Sequence, residues 1–150
     1  MPTSPARKAA QSVLAALPVI MRTVGRSVRE SGGEVSPQQH RVLALLSRSP
    51  RTLGEVARIQ GVTPATATTM ITTLENRGWV RREADAEDRR RVVVSVTGAG
   101  RTAFAVTQEV VERAIAELLE PLDAEELEQV AHGFESVRIL GSSEPSPAGG

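Results

Sequence analysis

The sequence predicts a mainly α-helical protein with one small β-hairpin (α+β). Three observations carry this. Helix-start patterns recur along the chain at Ser36, Thr52, Thr63 and Asp123. Two short apolar runs, Trp79–Glu83 and Val92–Val96, flank a polar connection with three consecutive arginines, Arg89, Arg90 and Arg91. Gly61 separates two short helical segments by only a few residues, which is the helix-turn-helix connection.

Taken in order, Val13, Leu17, Ile20, Val24 and Val28 recur at three- and four-residue steps and form one side of a first helix. Leu14 and Met21 widen that side. Pro18 sits inside it and is expected to kink or break the helix, because it lacks an N–H and clashes with the preceding turn. Ser31-Gly32-Gly33 ends the segment. Ser36-Pro37-Gln38-Gln39 then places a cap, a first-turn proline and a capping-box glutamine ahead of Val42, Leu43, Leu45 and Leu46. Thr52-Leu53-Gly54-Glu55 is a second capping box, and Thr63-Pro64 opens the next helix. The two strand candidates follow. A long helix from about Thr97 carries Phe104, Val110, Val111, Ile115, Leu118 and Leu119, and stops before Pro121. Asp123-Ala124-Glu125-Glu126 caps a last helix with Leu127, Val130, Phe134, Val137 and Leu140. The outer helices are apolar over a width that a domain this small cannot cover, so a second copy of the chain is expected to cover them.

At 150 residues, 40% of them hydrophobic, the chain supports one core and is not a disordered polymer. It has no run of about 18 apolar residues, so no membrane span is expected. Met1–Lys8 does not lead into a signal-like apolar stretch, so a cytoplasmic protein is expected. The absence of cysteine excludes disulfides, zinc–thiolate sites and thiol redox sensing. His40 and His132 lie far apart without ligands at metal spacing, and no catalytic triad, Gly-rich phosphate loop or carboxylate pair stands out. No enzyme, metal or cofactor is expected.

The formal net charge of zero conceals an asymmetry. Residues 1–35 hold five basic and two acidic side chains, residues 36–101 eleven and six, and residues 102–150 two and ten. The basic front suits an anionic polymer and the acidic end is repelled by it. Seventeen of the 18 basic residues are arginine, the side chain suited to forked phosphate contacts, although a GC-rich coding bias produces the same excess.

These features point to double-stranded DNA as the partner. The helix from Thr63 turns Ala67, Met70 or Ile71, and Leu74 inward, which leaves Ala65, Thr66, Thr69 and Thr73 on another side. Six threonines in the eleven residues Thr63–Thr73 are poor helix formers without another purpose; a solvated surface is the plainer reading of them. Arg77, Arg81 and Arg82 either reach phosphates or pair with Glu75 and Glu83. Ser36 and Gln38 could meet phosphate at a helix start, though capping explains Ser36 equally well. Arg89 and Arg91 alternate along the hairpin tip and could reach phosphates. Trp79 reads as core.

Leu74-Glu75-Asn76-Arg77-Gly78-Trp79-Val80, Asp88-Arg89-Arg90 and Val94-Ser95-Val96-Thr97-Gly98-Ala99-Gly100 together resemble the MarR family (multiple antibiotic resistance regulators). The resemblance covers roughly residues 10–140, with Val96 where the family usually has leucine. It implies a winged helix-turn-helix that is mainly α with a small β-wing and has N- and C-terminal dimerisation helices. Residues 1–35 and 102–140 would form the dimerisation region, 36–101 the DNA-binding lobe and 141–150 a disordered tail. It further implies a homodimer on a pseudo-palindromic operator, usually a repressor released by a small molecule. Thr63, Pro64, Ala65, Thr66, Thr69 and Thr73 would then face the major groove, with Arg90 in the minor groove and Asp88 holding the wing. Thr69 and Thr73 stand where family members often carry Arg or Lys, which shifts weight to hydroxyl, methyl and shape contacts. That departure leaves a protein-interaction module with weak, non-specific DNA binding as the alternative. A small aromatic or anionic effector would sit among Met21, Arg22, Val24, Arg41, Val42, Leu45 and Ile115. The chain has only three aromatic residues and no tyrosine, so such a pocket would be poor in rings.

Overall fold

The computed structural model describes residues 4–142. Its elements run α1 (Pro5–Glu30), α2 (Pro37–Arg48), α3 (Leu53–Gln60), α4 (Pro64–Asn76), β1 (Val80–Ala84), β2 (Val92–Val96), α5 (Gly98–Leu119) and α6 (Ala124–Ser142). The chain's internal contacts separate a unit ending at Ile115 from one beginning at Ala116. The first holds the winged helix-turn-helix, and the second holds the end of α5 and all of α6.

The capping residues set the helix starts. Ser36 Oγ accepts from Gln39 N at 3.2 Å, while Gln39 Oε1 accepts from Ser36 N at 2.9 Å. Thr52 and Glu55 make the same reciprocal pair at 3.2 and 2.8 Å, and Asp123 and Glu126 at 2.9 and 3.0 Å. Each box satisfies two N–H groups that the first turn would otherwise leave open. The helix ends are equally local. Gly61 and Gly78 adopt φ of 64° and 76°, a region that a Cβ disfavours. Val62 N then bonds to Ala57 O, and Trp79 N to Leu74 O, each at 3.0 Å, closing α3 and α4 with Schellman turns.

Pro18 does not break the first helix. Helix α1 runs from Pro5 to Glu30 with Pro18 inside it. The proline removes one backbone bond, and the helix continues on both sides of it. At the other end, α6 takes in Gly141 and Ser142, which were expected to begin a disordered tail; the remainder of that tail lies outside the described residues.

The core of the first unit lies between α2, α3, α4 and the hairpin. Val42, Leu43, Val56, Ala67, Ile71 and Leu74 are fully buried, and Leu46, Val80 and Val94 nearly so. Strands β1 and β2 are antiparallel, with Val80 opposite Val96 and Ala84 opposite Val92. Arg51 adds a one-residue third strand, exchanging backbone bonds of 3.1 and 2.7 Å with Val94. A single bridging residue carries no periodicity, so the sequence pattern does not show it. Of α1, only the C-terminal part is buried in this unit, at Thr23, Ser27 and Val28. Val13, Leu14 and Leu17 are 41–66% exposed.

The start of α5 is locked to the end of α4. Thr97 N donates to Trp79 O at 2.9 Å, Thr97 Oγ1 donates to Gly78 O at 2.5 Å, and Thr97 Oγ1 accepts from Gly100 N at 3.1 Å. Gly100 lies so close that a Cβ placed there would stand 2.0 Å from Trp79 O. Further along α5, His40 of α2 stacks on Phe104 at 5.3 Å between ring centroids. His40 Nε2–H donates to Gln108 Oε1 at 3.1 Å, and Gln108 in turn donates to Glu112.

Two outcomes are expected. Gly100→Ala must displace the Trp79 backbone, and overpacking of this kind costs about 1–3 kcal/mol, read as a lower urea midpoint. A midpoint equal to the parent's would refute the close-approach account. Burial lowers the His40 pKa, with the Gln108 hydrogen bond opposing. The unfolded chain therefore binds the proton at higher pH than the folded one, so stability falls as pH drops through about 6.5 and levels off below the folded-state value. Melting temperature followed from about pH 7.5 to 5.5 is expected to decline in the parent and to flatten in His40→Gln. The Glu55 and Glu83 carboxyls, both held below the ordinary 4.5, contribute only under that pH. Equal slopes in the two proteins would remove His40 as the cause.

Candidate nucleic-acid interface

Helix α4 presents two different sides. Ala67, Ile71 and Leu74 are buried, and Met70 is partly buried. Ala65, Thr66, Thr69 and Thr73 are all exposed, as are Thr63 and Pro64 at its start. Thr63 Oγ1 caps the helix by accepting from Thr66 N at 3.2 Å, and its hydroxyl donates to Thr66 Oγ1 at 2.9 Å. Thr69 and Thr73 donate to carbonyls one turn back, Ala65 O at 3.1 Å and Thr69 O at 3.0 Å. No basic residue lies between Pro64 and Asn76, so this side is polar and uncharged.

The wing connection is shaped by two aspartates. Asp85 Oδ1 accepts from Glu87 N at 3.0 Å, and Asp88 Oδ1 accepts from Arg90 N at 3.1 Å. Short polar side chains that bond their own backbone two residues on are turn formers. Asp85 N also donates to Arg91 O, and Arg91 N to Asp88 O, which closes the loop. Asp88 Oδ1 accepts from Arg90 Nε as well, at 3.3 Å, while the Arg90 side chain stays 93% exposed. Arg89 is exposed too and makes no ion pair among the described residues.

The other arginines expected at this surface have protein partners. Arg91 lies 3.3 Å from Glu55 Oε1 and 3.9 Å from Asp85 Oδ2, tying the wing base to the start of α3. Partial burial pushes the Glu55 carboxyl up, but hydrogen bonds from Thr52 and the nearby Arg91 and Arg51 guanidinium groups bring it below its ordinary value. Arg77 donates to the Glu34 carbonyl and sits 4.6 Å over the Trp79 ring, although the residue remains exposed. Trp79 is buried, as expected. Arg82 pairs with Glu75 at 2.9 Å and reaches Thr72 at 3.2 Å. Arg81 pairs with Glu83 at 2.9 Å. Hydrogen bonds from Ser95 and Arg81 hold the Glu83 carboxyl below its usual range. Ser36 is occupied by capping α2, and Gln38 is exposed beside it.

The residues expected to line an effector site differ in exposure. Val42 is wholly buried, Leu45 packs against the core, and Met21, Arg22 and Arg41 are exposed. None of the seven, Val24 and Ile115 included, borders the hollow of about 590 Å³ at the wing base or another of about 500 Å³ in the first unit. The latter lies between Ser31–Val35, Trp79 and the Ala99–Val110 part of α5. It forms where the α1–α2 turn passes α5, a long-range meeting that helix periodicity does not reveal. His40 is buried and structural, His132 is exposed, and no metal-binding cluster occurs among the described residues.

Comparison with known proteins places this architecture. The sequence profile described as MarR family matches residues 34–91. The transcriptional regulator HosA of Escherichia coli is 35% identical over 97 residues, covering 63% of this chain and 71% of HosA. The chain belongs to the MarR family. Its relatives there are transcriptional regulators, not enzymes. YwaE, an HTH-type transcriptional regulator of Bacillus subtilis, is 40% identical over 50 residues, which are 33% of this chain but only 29% of YwaE. The crystal structure of CouR from Rhodococcus jostii RHA1, bound to p-coumaroyl-CoA, superposes with a TM-score of 0.66. It spans 99% of this chain and 100% of CouR at 19% identity, a likeness of fold.

The clamp at the wing base gives a measurable coupling. A double-mutant cycle with Arg91→Ala and Glu55→Gln, read by urea unfolding, is expected to give about 0.2–1 kcal/mol, since half-exposed pairs are screened. A coupling of zero would show that the pair does not hold the wing.

Proposed function

We propose that this MarR-family chain is a homodimeric, sequence-specific DNA-binding transcriptional regulator, a repressor released by a small molecule. The observation that supports it best is the pairing of surfaces. Arg89 and Arg90 are exposed at a wing tip that Asp88 shapes, Arg90 paired only with Asp88 among the described ion pairs, and α4 carries an uncharged, hydroxyl-rich exposed side. Helix α4 enters a major groove of duplex DNA and Arg90 enters the adjoining minor groove, where a narrow A·T tract concentrates negative potential. Residues 36–101 form the DNA-binding lobe. Residues 1–35 and 102–140 form the dimerisation region, and their exposed apolar side chains support that role: Val13, Leu14 and Leu17 on α1, and separately Phe134, Val137 and Leu140 on α6. A two-fold dimer reads a pseudo-palindromic operator. No described helix is long and apolar enough to cross a membrane, in keeping with action on DNA in the cytoplasm.

The effector's seat is the hollow beside Trp79. Val35, Ala103, Val106 and Val110 make its wall apolar, Thr102 and Thr107 add hydroxyls, and no basic residue lines it. That lining suits a compact apolar molecule with one or two hydrogen-bonding groups better than a bare anion.

Fragments of genomic DNA selected by the purified chain at about 150 mM salt would supply the operator. Arg90→Ala is expected to lower affinity for it by about 1–3 kcal/mol, with the dimer unchanged in sedimentation. Unchanged affinity would exclude the wing from binding. Equal, salt-labile binding to scrambled sequence would instead favour a winged-helix protein-interaction module.

A further inference from the structure

Resting on the DNA-binding reading above, we infer that Thr69 and Thr73 make the operator half-site A·T-selective, by meeting thymine methyl groups and adenine amino groups. The two residues are one helical turn apart, so they lie on the same side of α4, and both are exposed. Each hydroxyl is turned back along the helix, Thr69 to Ala65 O at 3.1 Å and Thr73 to Thr69 O at 3.0 Å. This arrangement commits the hydroxyl hydrogens. What each residue still offers a partner is its γ-methyl and the lone pairs of its oxygen.

A base edge that matches those two features must present a methyl group and an N–H donor. In the major groove the A·T pair presents both, the thymine C5-methyl and the adenine N6 amino group. A G·C pair offers one amino donor on cytosine and no methyl, and its guanine edge is made of acceptors. To donate to guanine N7 or O6, either threonine would first have to release its carbonyl. The residues that normally read guanine by a forked contact are arginine and lysine, and α4 has neither from Pro64 to Asn76. Of the arginines that follow α4, Arg77 bonds to the Glu34 carbonyl, Arg81 pairs with Glu83 and Arg82 with Glu75, while exposed Arg58 belongs to α3 and not to α4. Selectivity by α4 therefore falls on A·T pairs.

The experiment uses the full chain and the operator it selects. Each thymine of one half-site is replaced in turn by deoxyuridine, which removes only the C5-methyl. In a parallel series each guanine is replaced by 7-deazaguanine, which removes only N7. Loss of one buried methyl contact is expected to weaken binding about four-fold. Such a loss should appear at one or two thymines, while 7-deazaguanine has no effect in the same half-site. Thr69→Ser and Thr73→Ser keep the hydroxyl and lose the methyl, so each should bind more weakly and become indifferent to deoxyuridine at its own position. Thr69→Val and Thr73→Val keep the methyl and should retain the sensitivity. The inference is overturned if no thymine responds, or if 7-deazaguanine weakens binding instead. If the chain selects no sequence at all, the DNA-binding reading fails and this inference fails with it, an outcome distinct from an operator that ignores thymine methyls.

Discussion

The geometry of the whole winged lobe depends on the backbone turn at Gly78–Trp79. Gly78 adopts a left-handed conformation that lets α4 end within one residue. Trp79 is then held at several points. Its N–H closes α4 on Leu74, its carbonyl receives Thr97 N–H, its indole is buried, and the Arg77 guanidinium lies over the ring. Gly100 brings the start of α5 against the same carbonyl. Three elements, α4, the hairpin and α5, thus meet around one residue. A buried aromatic fixed at both its backbone and its ring leaves little slack in their relative angles.

Electrostatics in this lobe serve mainly to hold the protein together. Eleven arginines lie between residues 36 and 101. Arg77, Arg81, Arg82 and Arg91 are each tied to a carbonyl or carboxylate, over distances in sequence from two to 43 residues. Exposed pairs of this kind add little stability singly. Their effect is to give these cations a partner within the lobe even where, as at Arg81 and Arg91, the side chain is half exposed or more. Arg89 has no ion pair among the described residues, and Arg90 pairs only with Asp88 beside it and stays exposed. A count of basic residues therefore overstates the positive surface available to a polyanion.

What the sequence makes legible is what it encodes locally. The three capping boxes, the glycine-closed helix ends and the apolar period of α4 each depend on residues within about one turn, and each forms as the pattern predicts. Pro18 reads in the sequence as a kink or a break, and of these two the break does not occur, since the helix continues past it to Glu30. The β1 boundary shifts by one residue, to Val80–Ala84, since Trp79 is taken up in closing α4. Partner choice is a long-range matter. Nothing near Arg91 in sequence points to Glu55, nothing near Arg77 points to Glu34, and the hollow beside Trp79 is bounded by segments more than 40 residues apart. The threonines of α4 are legible as exposed, but the direction of their hydroxyls is a property of the folded backbone.

The bond between Glu55 and Arg91 joins two structures with separate tasks. The same carboxylate closes the first turn of α3 through Oε2 and holds the wing base through Oε1. Any rotation of α3 about its own axis carries that carboxylate with it, and the hairpin must follow or let go. The helix-turn-helix and the wing are thereby geared together at one side chain. Their relative placement thus rests in part on the geometry of one carboxylate.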